Sequence, residues 1–457
     1  MRSLLSNRNF TRLFAGRLVT NAGDSLYFIA AMWLVYDLTG NEFYSGLAGF
    51  LTMAPQALQA FSGPLVDRWN VKHLLVATQL VQAVLILAIP IAAWTGNLTV
   101  WVVLTVMPLL SLLNQFVYPA QSALLPRIVD DDELVAANSA FSMAYQGVDA
   151  AFNAVSGLLV AVVGATVIFL LDSATFVAAA LLFATLALPD RDAADVETGD
   201  AATEGDADAD AGAVATDGGD ADPHSSAADD ADADASLGYL ESLREGAAFV
   251  RGSVLFPMLA GSLVINFTFG AAIAVLPSYG DVVGAASGPL AGVLGGSVGG
   301  ASAYGLLMAA LGGGMFVGAL AANAVSDRAF GRLAVVTMAV GGVAWLAAVY
   351  ASTPAATVPL FALALVPAGI TNVLIVSMIQ SLVPDALLGR VMGVVGSVSA
   401  FATPFGALAG GAVAAAYGPT VVMYAGGVGL LFLAAYNLAV PSIRRLPAVG
   451  DVETLST

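Results

Sequence analysis

The sequence predicts an all-α membrane protein in which 12 transmembrane helices form two parallel six-helix bundles. The first supporting observation is the composition: 58% of the 457 residues are hydrophobic and 11% are charged, with a mean hydropathy of +0.85. Soluble domains carry about 25% charged residues, so the composition excludes a soluble protein. The second observation is a series of long apolar runs, and the third is a repeat that relates the two halves of the chain.

Twelve apolar runs of about 20 to 27 residues are each long enough to cross a hydrocarbon core of roughly 30 Å as a helix. Spans 1 to 6 are predicted near 12–38, 44–66, 74–94, 98–121, 138–163 and 165–188, and spans 7 to 12 near 253–279, 302–325, 333–351, 356–381, 388–415 and 418–440. The runs are continuously apolar rather than alternating, which excludes a strand barrel. The first run is too long for a signal peptide and lacks a cleavage pattern, so we expect it to remain as a spanning helix.

An acidic tract separates the two sets of six spans. Sixteen of the 33 acidic residues and one arginine lie between residues 190 and 234, so this tract carries −15 of the net charge of −18. A high net charge with few large apolar residues predicts a disordered linker over 189–236. A short amphipathic helix at 237–250 is expected to follow it at the membrane surface.

The predicted domains are an N-terminal bundle at 1–188, the linker with its amphipathic helix at 189–252, a C-terminal bundle at 253–441 and a tail at 442–457. All but one of the 15 Lys and Arg residues fall on the side of the membrane that carries both termini, and Arg17 inside span 1 is the exception. Short positive connections remain in the cytoplasm. We therefore expect a multi-pass protein of the cell membrane with both termini and the linker in the cytoplasm.

The use of charged residues and cysteine carries two further inferences. The chain has one lysine, Lys72, against 14 arginines, and its aspartate excess is of the kind that keeps proteins hydrated in concentrated salt, which favours a salt-loving source. Drift in an unconstrained linker is the alternative explanation. The absence of cysteine excludes disulfides, thiol catalysis and cysteine-ligated metals.

The internal repeat has an offset of 258 to 260 residues. Asp67 and Arg68 after span 2 correspond to Asp327 and Arg328 after span 8, and the same offset relates Asn114 in span 4 to Asn372 in span 10. Each asparagine is a polar residue in an apolar stretch. Six helices in each half with the same topology predict parallel repeats related by an axis along the membrane normal.

These features resemble the major facilitator superfamily of secondary transporters. The resemblance rests on twelve spans, a long connection after span 6 and a G-x-L-x-D-R loop after span 2. The stretches NFTRLFAGRLVTNAGD (9–24), PAQSALLPRIV (119–129) and LVAAN (134–138) are similar to the third drug:proton antiporter family, which includes macrolide and siderophore exporters. The resemblance covers both membrane halves and implies alternating access by two rocking bundles.

The resemblance also implies a cytoplasmic gate in the loops after spans 2 and 8. In the superfamily the first loop is a latch that holds the cytoplasmic side closed. The residues that match it are Gly63, Asp67, Arg68 and Lys72, with Asp327, Arg328 and Arg332 in the second half. Asn70 and Val71 stand where the family usually has Gly and Arg, and span 5 lacks the glycine-proline run of antiporters.

Polar residues within the spans are the candidate functional residues, because a charge at the centre of a spanning helix costs about 2.5–3.5 kcal/mol on insertion scales. Arg17, Asn21 and Asp24 share one face of span 1. Snorkelling of Arg17 to the interface and a structural role for the carboxylates are the alternatives. The predicted proton-coupling and cavity residues are Arg17, Asn21, Asp24, Asn114, Asp149, Asn153, Asn266 and Asn372, while Asp172 in span 6 is left between a structural and a functional role.

The sequence therefore predicts a proton-coupled exporter of amphipathic or hydrophobic small molecules, with Asp24 and Asp149 as the proton carriers. Uptake or facilitated diffusion of a small metabolite is one alternative, and a membrane sensor or assembly partner that transports nothing is another. No enzymatic activity, cofactor, metal or nucleic-acid partner is expected. The expected partners are the lipid bilayer, protons and a small organic solute, and we expect a monomer.

Overall fold

The computed structural model describes residues 4, 6–58, 69–187, 244–285, 299–351 and 353–452, and within these residues it contains helices and no strands. The first half contains α1 (Arg8–Thr39), α2 (Glu42–Met53), α3 (Val71–Trp94), α4 (Val100–Leu124), α5 (Leu134–Val163) and α6 (Ala165–Ala184). The second half contains α7 (Leu255–Ala285), α8 (Gly300–Ala321), α9 (Phe330–Tyr350), α10 (Pro354–Leu382), α11 (Asp385–Tyr417), α12 (Pro419–Ala439) and the short α13 (Pro441–Arg444).

The predicted all-α membrane fold is confirmed. Ten helices in the described part of the chain are long and apolar enough to cross a membrane, and α2 with α5 complete the twelve expected spans. The expectation of a continuous helix in span 2 is wrong, because the α-helix ends at Met53 and passes into a 3₁₀ turn at Ala54–Leu58. Pro55 explains the change, since it has no backbone N–H to donate to the preceding turn. The acidic linker lies outside the described residues.

Helix packing repeats between the two halves. In the first half α1 packs on α5 and α6, and α3 packs on α4 and α6; in the second half α7 packs on α11 and α12, and α9 packs on α10 and α12. Contacts between the halves follow the same rule, because α2 packs on α11 and α5 packs on α8. The repeat relates α2 to α8 and α5 to α11, so it exchanges the α2–α11 interface with the α5–α8 interface. The sequence offset thus corresponds to two similar bundles, as expected for parallel repeats.

Glycine allows close contact where the halves meet. Gly46 of α2 lies against Gly411 of α11, and a methyl group at Gly46 would come within 2.7 Å of the Gly411 Cα atom. One turn further along α2, a methyl group at Gly49 would lie 3.1 Å from the Ala407 side chain. Small residues let two spanning helices approach closely without a hydrophobic driving force. The α2–α11 contact is therefore a tight seam between the halves.

Three apolar clusters define an open and a closed side of the molecule. We call the side with the start of α1 and the tail after α12 the terminal face. There the N-terminal cluster, which includes Phe10 and Phe183, contains described residues of the first half only, and the C-terminal cluster, which includes Phe330 and Ile443, those of the second half only. Towards the opposite face the shared cluster joins both halves. Among the described residues, the halves therefore pack together away from the terminal face and separately at it.

The opposite face is closed by aromatic contacts as well. Trp33 of α1 stacks on Tyr304 of α8 with ring centroids 6.1 Å apart. Phe50 of α2 meets Phe405 of α11 edge-on at 5.3 Å. Aromatic pairs in such geometries contribute about 0.5–1.5 kcal/mol beyond their buried area. These pairs stabilise the arrangement in which the path between the halves opens towards the terminal face.

Candidate functional site

The middle of the first half contains a carboxylate that is bonded across two helices. The Asn114 amide on α4 donates a hydrogen bond of 3.0 Å to Oδ2 of Asp24 on α1. Along α1 this carboxylate lies between Leu13, which belongs to the N-terminal cluster, and Leu26, which belongs to the shared cluster. The predicted cavity residues Asp24 and Asn114 therefore meet in a polar layer between two apolar ones.

A second carboxylate lies beside the first. Asp172 of α6 is fully buried, and its Oδ1 accepts a hydrogen bond of 3.0 Å from Thr175, whereas its Oδ2 accepts none from the described residues. Its side chain lies against Gly23, the residue before Asp24, in space that a methyl group there would occupy. The absence of a side chain at position 23 thus brings the two carboxylates within electrostatic reach of one another.

Arg17 forms a second polar group one level closer to the terminal face. Its Nε donates hydrogen bonds to Oε1 of Gln121 at 2.8 Å and to the Tyr145 hydroxyl at 3.0 Å, and its guanidinium lies 5.4 Å from the Tyr145 ring centroid. The Tyr145 hydroxyl also donates to Gln121. Arg17 is 8% exposed, so the alternative that it snorkels to the interface is wrong. The cluster joins α1, α4 and α5.

The remaining predicted residues of the first half are less completely placed. Asn21 is half-buried on α1 between Arg17 and Asp24, at the helical spacing of a common face. Asp149 and Asn153 lie on α5, and their side chains are outside the described part of the structure. Asp149 therefore stays a prediction as a proton carrier.

The latch predicted after span 2 is described only in part. Gly63, Asp67 and Arg68 lie outside the described residues. The Lys72 ammonium donates a hydrogen bond of 2.6 Å to the Leu186 carbonyl at the end of α6. Asn70, which departs from the family pattern, caps α3: its Oδ1 accepts the backbone N–H groups of Lys72 and His73 at 3.1 and 3.2 Å. This departure therefore has a structural function.

The second loop of the predicted gate is an exposed turn. Asp327 and Arg328 are exposed, and the backbone N–H of Arg328 closes the turn by donating to the Val325 carbonyl at 3.0 Å. Arg332, also exposed, borders a groove on the terminal face together with Arg444 and Arg445 of the C-terminal tail. The structure thus places this loop at the terminal face, and its role as a gate stays a prediction.

The middle of the second half contains a cavity of about 250 Å³ instead of charged groups. It lies inside the C-terminal bundle between α7, α9, α10 and α12, and its walls include the predicted residues Asn266 and Asn372. Asn266 donates to the Ser262 carbonyl at 2.8 Å and hydroxyl at 3.1 Å, and Thr403 of α11 donates to its Oδ1 at 3.5 Å. The lining contains no ionisable side chain.

Sequence reasoning missed several residues of both regions. Gln121 stands in the quoted PAQSALLP motif, and its position seven residues after Asn114 places it on the same face of α4, which is the signal that identifies it. In the second half, Thr371 adjoins Asn372, and Asn437 is a polar residue in the apolar run of span 12. Among the described residues, no group of three acidic or histidine side chains is placed to hold a metal ion.

The sequence profile described as Major Facilitator Superfamily matches residues 13–303. Among curated relatives, the "uncharacterized MFS-type transporter YvqJ" of Bacillus subtilis is 31% identical over 141 residues, which cover 30% of this chain and 33% of that protein. Macrolide efflux protein A of Streptococcus pyogenes is 26% identical over 182 residues, which cover 39% of this chain and 45% of that protein. The matched stretches therefore span less than half of either relative.

Solved structures resemble almost the whole chain. The nucleoside transporter NupG matches with a TM-score of 0.64 and 13% identity, covering 95% of this chain and 98% of its own. A bacterial homologue of the iron transporter ferroportin in an inward-facing state matches with a TM-score of 0.60 and 14% identity, covering 95% and 98%. At such identities the likeness shows the fold alone.

Proposed function

Because this chain belongs to the Major Facilitator Superfamily, and is therefore a transporter rather than an enzyme, we propose that it exports amphipathic organic solutes from the cell in exchange for protons. The observation that carries the proposal is the pair of carboxylates, Asp24 and Asp172, in the middle of the first bundle. A carboxylate retained in a spanning segment carries an energetic penalty, and proton transfer is the common reason for keeping one.

In this proposal the terminal face is cytoplasmic. The exposed residues Arg328, Arg332, Arg390, Arg444 and Arg445 all lie in the connections at that face or in the helical turns next to them. Short connections rich in Arg and Lys remain in the cytoplasm during insertion. The separate packing of the halves at this face then corresponds to a state open to the cytoplasm, in which an exporter loads its solute.

Asp24 and Asp172 carry the proton in turn. Two neighbouring carboxylates repel each other when both are charged, and one proton between them removes the repulsion. Asp24 is hydrogen-bonded to α4, while Asp172 belongs to α6 and packs on α1. A proton taken up from outside neutralises one of the two carboxylates, and its release to the cytoplasm restores the second charge. Rearrangement of α1 against α4 and α6 is the step that this change favours.

Arg17 acts as a positioning residue in the same bundle. Its guanidinium bonds to Gln121 and Tyr145, so it fixes α1 against α4 and α5. Arg17 also lies two turns from Asp24 on the same helix face, towards the terminal face. We propose that Arg17 assists proton release on the cytoplasmic side.

Two observations support an organic amphipathic solute. The cavity in the second half has apolar walls with a few amide and hydroxyl groups, which is the usual composition of a small-molecule site. One of the relatives is named as a macrolide efflux protein.

The test uses the full chain reconstituted in vesicles with an imposed pH gradient and a panel of amphipathic solutes that includes a macrolide. Solute accumulation against its gradient is expected for the unaltered protein, and loss of at least about 10²-fold in rate for Asp24→Asn, as for other essential proton-transfer groups. Asp37→Asn is the matched control, because Asp37 lies on the same helix but is exposed near its far end.

The other outcomes separate the alternatives. Accumulation by Asp24→Asn at the unaltered rate contradicts the proposed proton carrier. If solutes cross the membrane and no solute's flux changes with the pH gradient, the result supports facilitated diffusion instead. Absence of flux for the whole panel, with a folded protein, supports a sensor or assembly partner.

A further inference from the structure

The cavity in the C-terminal bundle lies apart from the carboxylates of the first bundle. Along α7 it extends from Met258, which belongs to the C-terminal cluster, to Phe269, three residues before Ala272 of the shared cluster. Two side chains from α9 and α12, Met338 and Leu433, form walls that face away from the first half. From this placement we propose that the cavity is a binding site for an uncharged amphipathic molecule of one or two rings.

The lining selects for a molecule without charge. Six of the lining side chains are neutral hydrogen-bonding groups, and the others are apolar or glycine. The polar ones are Ser262, Asn266, Thr268, Thr371, Asn372 and Asn437. An ion that enters such a site loses its hydration and gains no opposite charge, which costs several kcal/mol. A neutral molecule with one or two polar atoms avoids this cost.

Two of the amides are available to a ligand. Asn437 is 8% exposed, yet neither it nor Asn372 makes a side-chain hydrogen bond to the described residues. Asn266 and Thr371 are instead engaged: Asn266 with Ser262, and Thr371 with Thr337 at 2.9 Å. A buried amide without a partner is costly, so a hydrogen bond from a ligand or from water at Asn437 lowers the free energy of the site.

The volume and the entrance fit a small ring system. A cavity of roughly 150 Å³ holds benzene, so the 250 Å³ here has room for a larger aromatic or alicyclic molecule. Asn372 is exposed whereas Asn437 is buried, which makes the α10 side the entrance and the α12 side the closed end. The proposal deepens the proposed function, since it names the class of solute that the second bundle holds.

The natural absence of cysteine makes a direct labelling test possible. Three matched variants each convert one serine to cysteine in the full chain, purified in lipid nanodiscs with no pH gradient. Ser262→Cys lies in the cavity, Ser278→Cys is buried on the same helix outside it, and Ser326→Cys lies in the exposed turn after α8. The reagent is N-ethylmaleimide, and the competing probes are the neutral two-ring molecule 1-naphthol and its anionic relative naphthalene-1-sulfonate.

If the cavity is an accessible binding site, N-ethylmaleimide labels the Ser262→Cys and Ser326→Cys variants and does not label the Ser278→Cys variant. The neutral probe slows labelling at Ser262→Cys by roughly tenfold when its concentration is ten times its Kd, while the anionic probe has no effect there. Neither probe changes labelling at Ser326→Cys. If Ser262→Cys misfolds, Asn372→Cys at the entrance replaces it with the same expectations.

Three results overturn the proposal: no labelling in the cavity, labelling that the neutral probe leaves unchanged, or equal protection by both probes. Unchanged labelling means that the space holds water only. Because the assay needs no gradient, it is independent of the carboxylates. Adding Asp24→Asn to the Ser262→Cys variant leaves protection intact even though transport is lost, so failure of this site and failure of proton coupling are distinguishable.

Discussion

The two bundles share helix packing but differ in what fills their centres. In the first half, an apolar cluster at the terminal face is followed by Arg17, Asp24 and Asp172 and then by the shared cluster. In the second half, the corresponding layer is a cavity with a neutral lining. Both halves therefore have a polar layer at a similar depth, but its groups are charged in the first half and neutral in the second. Charged groups suit proton transfer and neutral ones suit the solute, which is the division of labour that we propose.

The repeated asparagines illustrate the same difference. Asn114 donates to Asp24 at 3.0 Å, whereas Asn372, 258 residues further on, borders the cavity without a side-chain partner among the described residues. Phe269, which follows the cavity-lining Asn266 by three positions as Asp24 follows Asn21, is apolar. Loss of the acid at this position leaves the amide of the second half for a ligand.

The largest effect that tests this comparison is expected at Asp172. Asp172→Asn keeps the shape of the buried side chain and removes the second carboxylate, so gradient-driven transport falls by roughly 10²-fold. Transport assays in vesicles measure it, with thermal unfolding as the control for stability. A variant that accumulates solute at the unaltered rate makes Asp172 a purely structural residue.

The next effect is on stability and arises at Arg17. Arg17→Met removes the hydrogen bonds that a charged donor makes to Gln121 and Tyr145, and a hydrogen bond to a charged group contributes about 1.5–3 kcal/mol. A lower unfolding temperature is expected by thermal unfolding in detergent. Ser262→Ala, at the matching depth of α7, is expected to leave the unfolding temperature nearly unchanged. Equal shifts for both variants mean that the two centres do not differ in this respect.

A smaller effect separates the repeated asparagines. Asn114→Ala removes one hydrogen bond to Asp24, worth about 0.6–1.4 kcal/mol, which lowers gradient-driven transport roughly three- to tenfold. Asn372→Ala is expected to leave the dependence on the pH gradient unchanged and to weaken protection by the neutral probe. If Asn372→Ala lowers gradient-driven transport and Asn114→Ala weakens protection by the neutral probe, the proposed roles of the two bundles are reversed.

The smallest effect is expected for the hydrogen bond between Thr337 of α9 and Thr371 of α10. Thr371→Val removes a bond of about 0.6 kcal/mol and adds no charge. Transport is expected to change by less than about threefold, and the unfolding temperature by a degree or two. Substantial loss of proton coupling in this variant places part of the coupling in the second half.

Much of the fold follows from the sequence, and less of the site does. Length and hydropathy predict the spanning helices, and helical spacing places Arg17, Asn21 and Asp24 on one face. Which residues meet across helices depends on packing that spacing does not encode. The sequence therefore identifies Asp24 and Asn114 separately but not their hydrogen bond, and it does not rank Asp172 above Asp149. Gly23 is a signal for this pairing that the sequence does contain, since a glycine beside a buried acid leaves room for a second acidic side chain.

The cavity is harder to predict from the sequence than the carboxylate pair is. Its volume is the space left by side chains from six helices, four of which, α8, α9, α12 and α13, carry no predicted cavity residue. Asn266 and Asn372 were identified because they are polar residues in apolar runs. Asn437 has the same signal, but it lies near the end of its span, where a polar residue is ordinary.

The most direct test of the account compares two activities of Asp24→Asn in the same vesicles: accumulation driven by the pH gradient, and exchange of labelled for unlabelled solute with no gradient. Exchange requires solute binding and alternating access but no net proton movement. The account predicts that Asp24→Asn loses accumulation and retains exchange at a rate close to that of the unaltered protein. Loss of both activities in a folded variant, or retention of both, contradicts the separation of proton coupling in the first bundle from solute binding in the second.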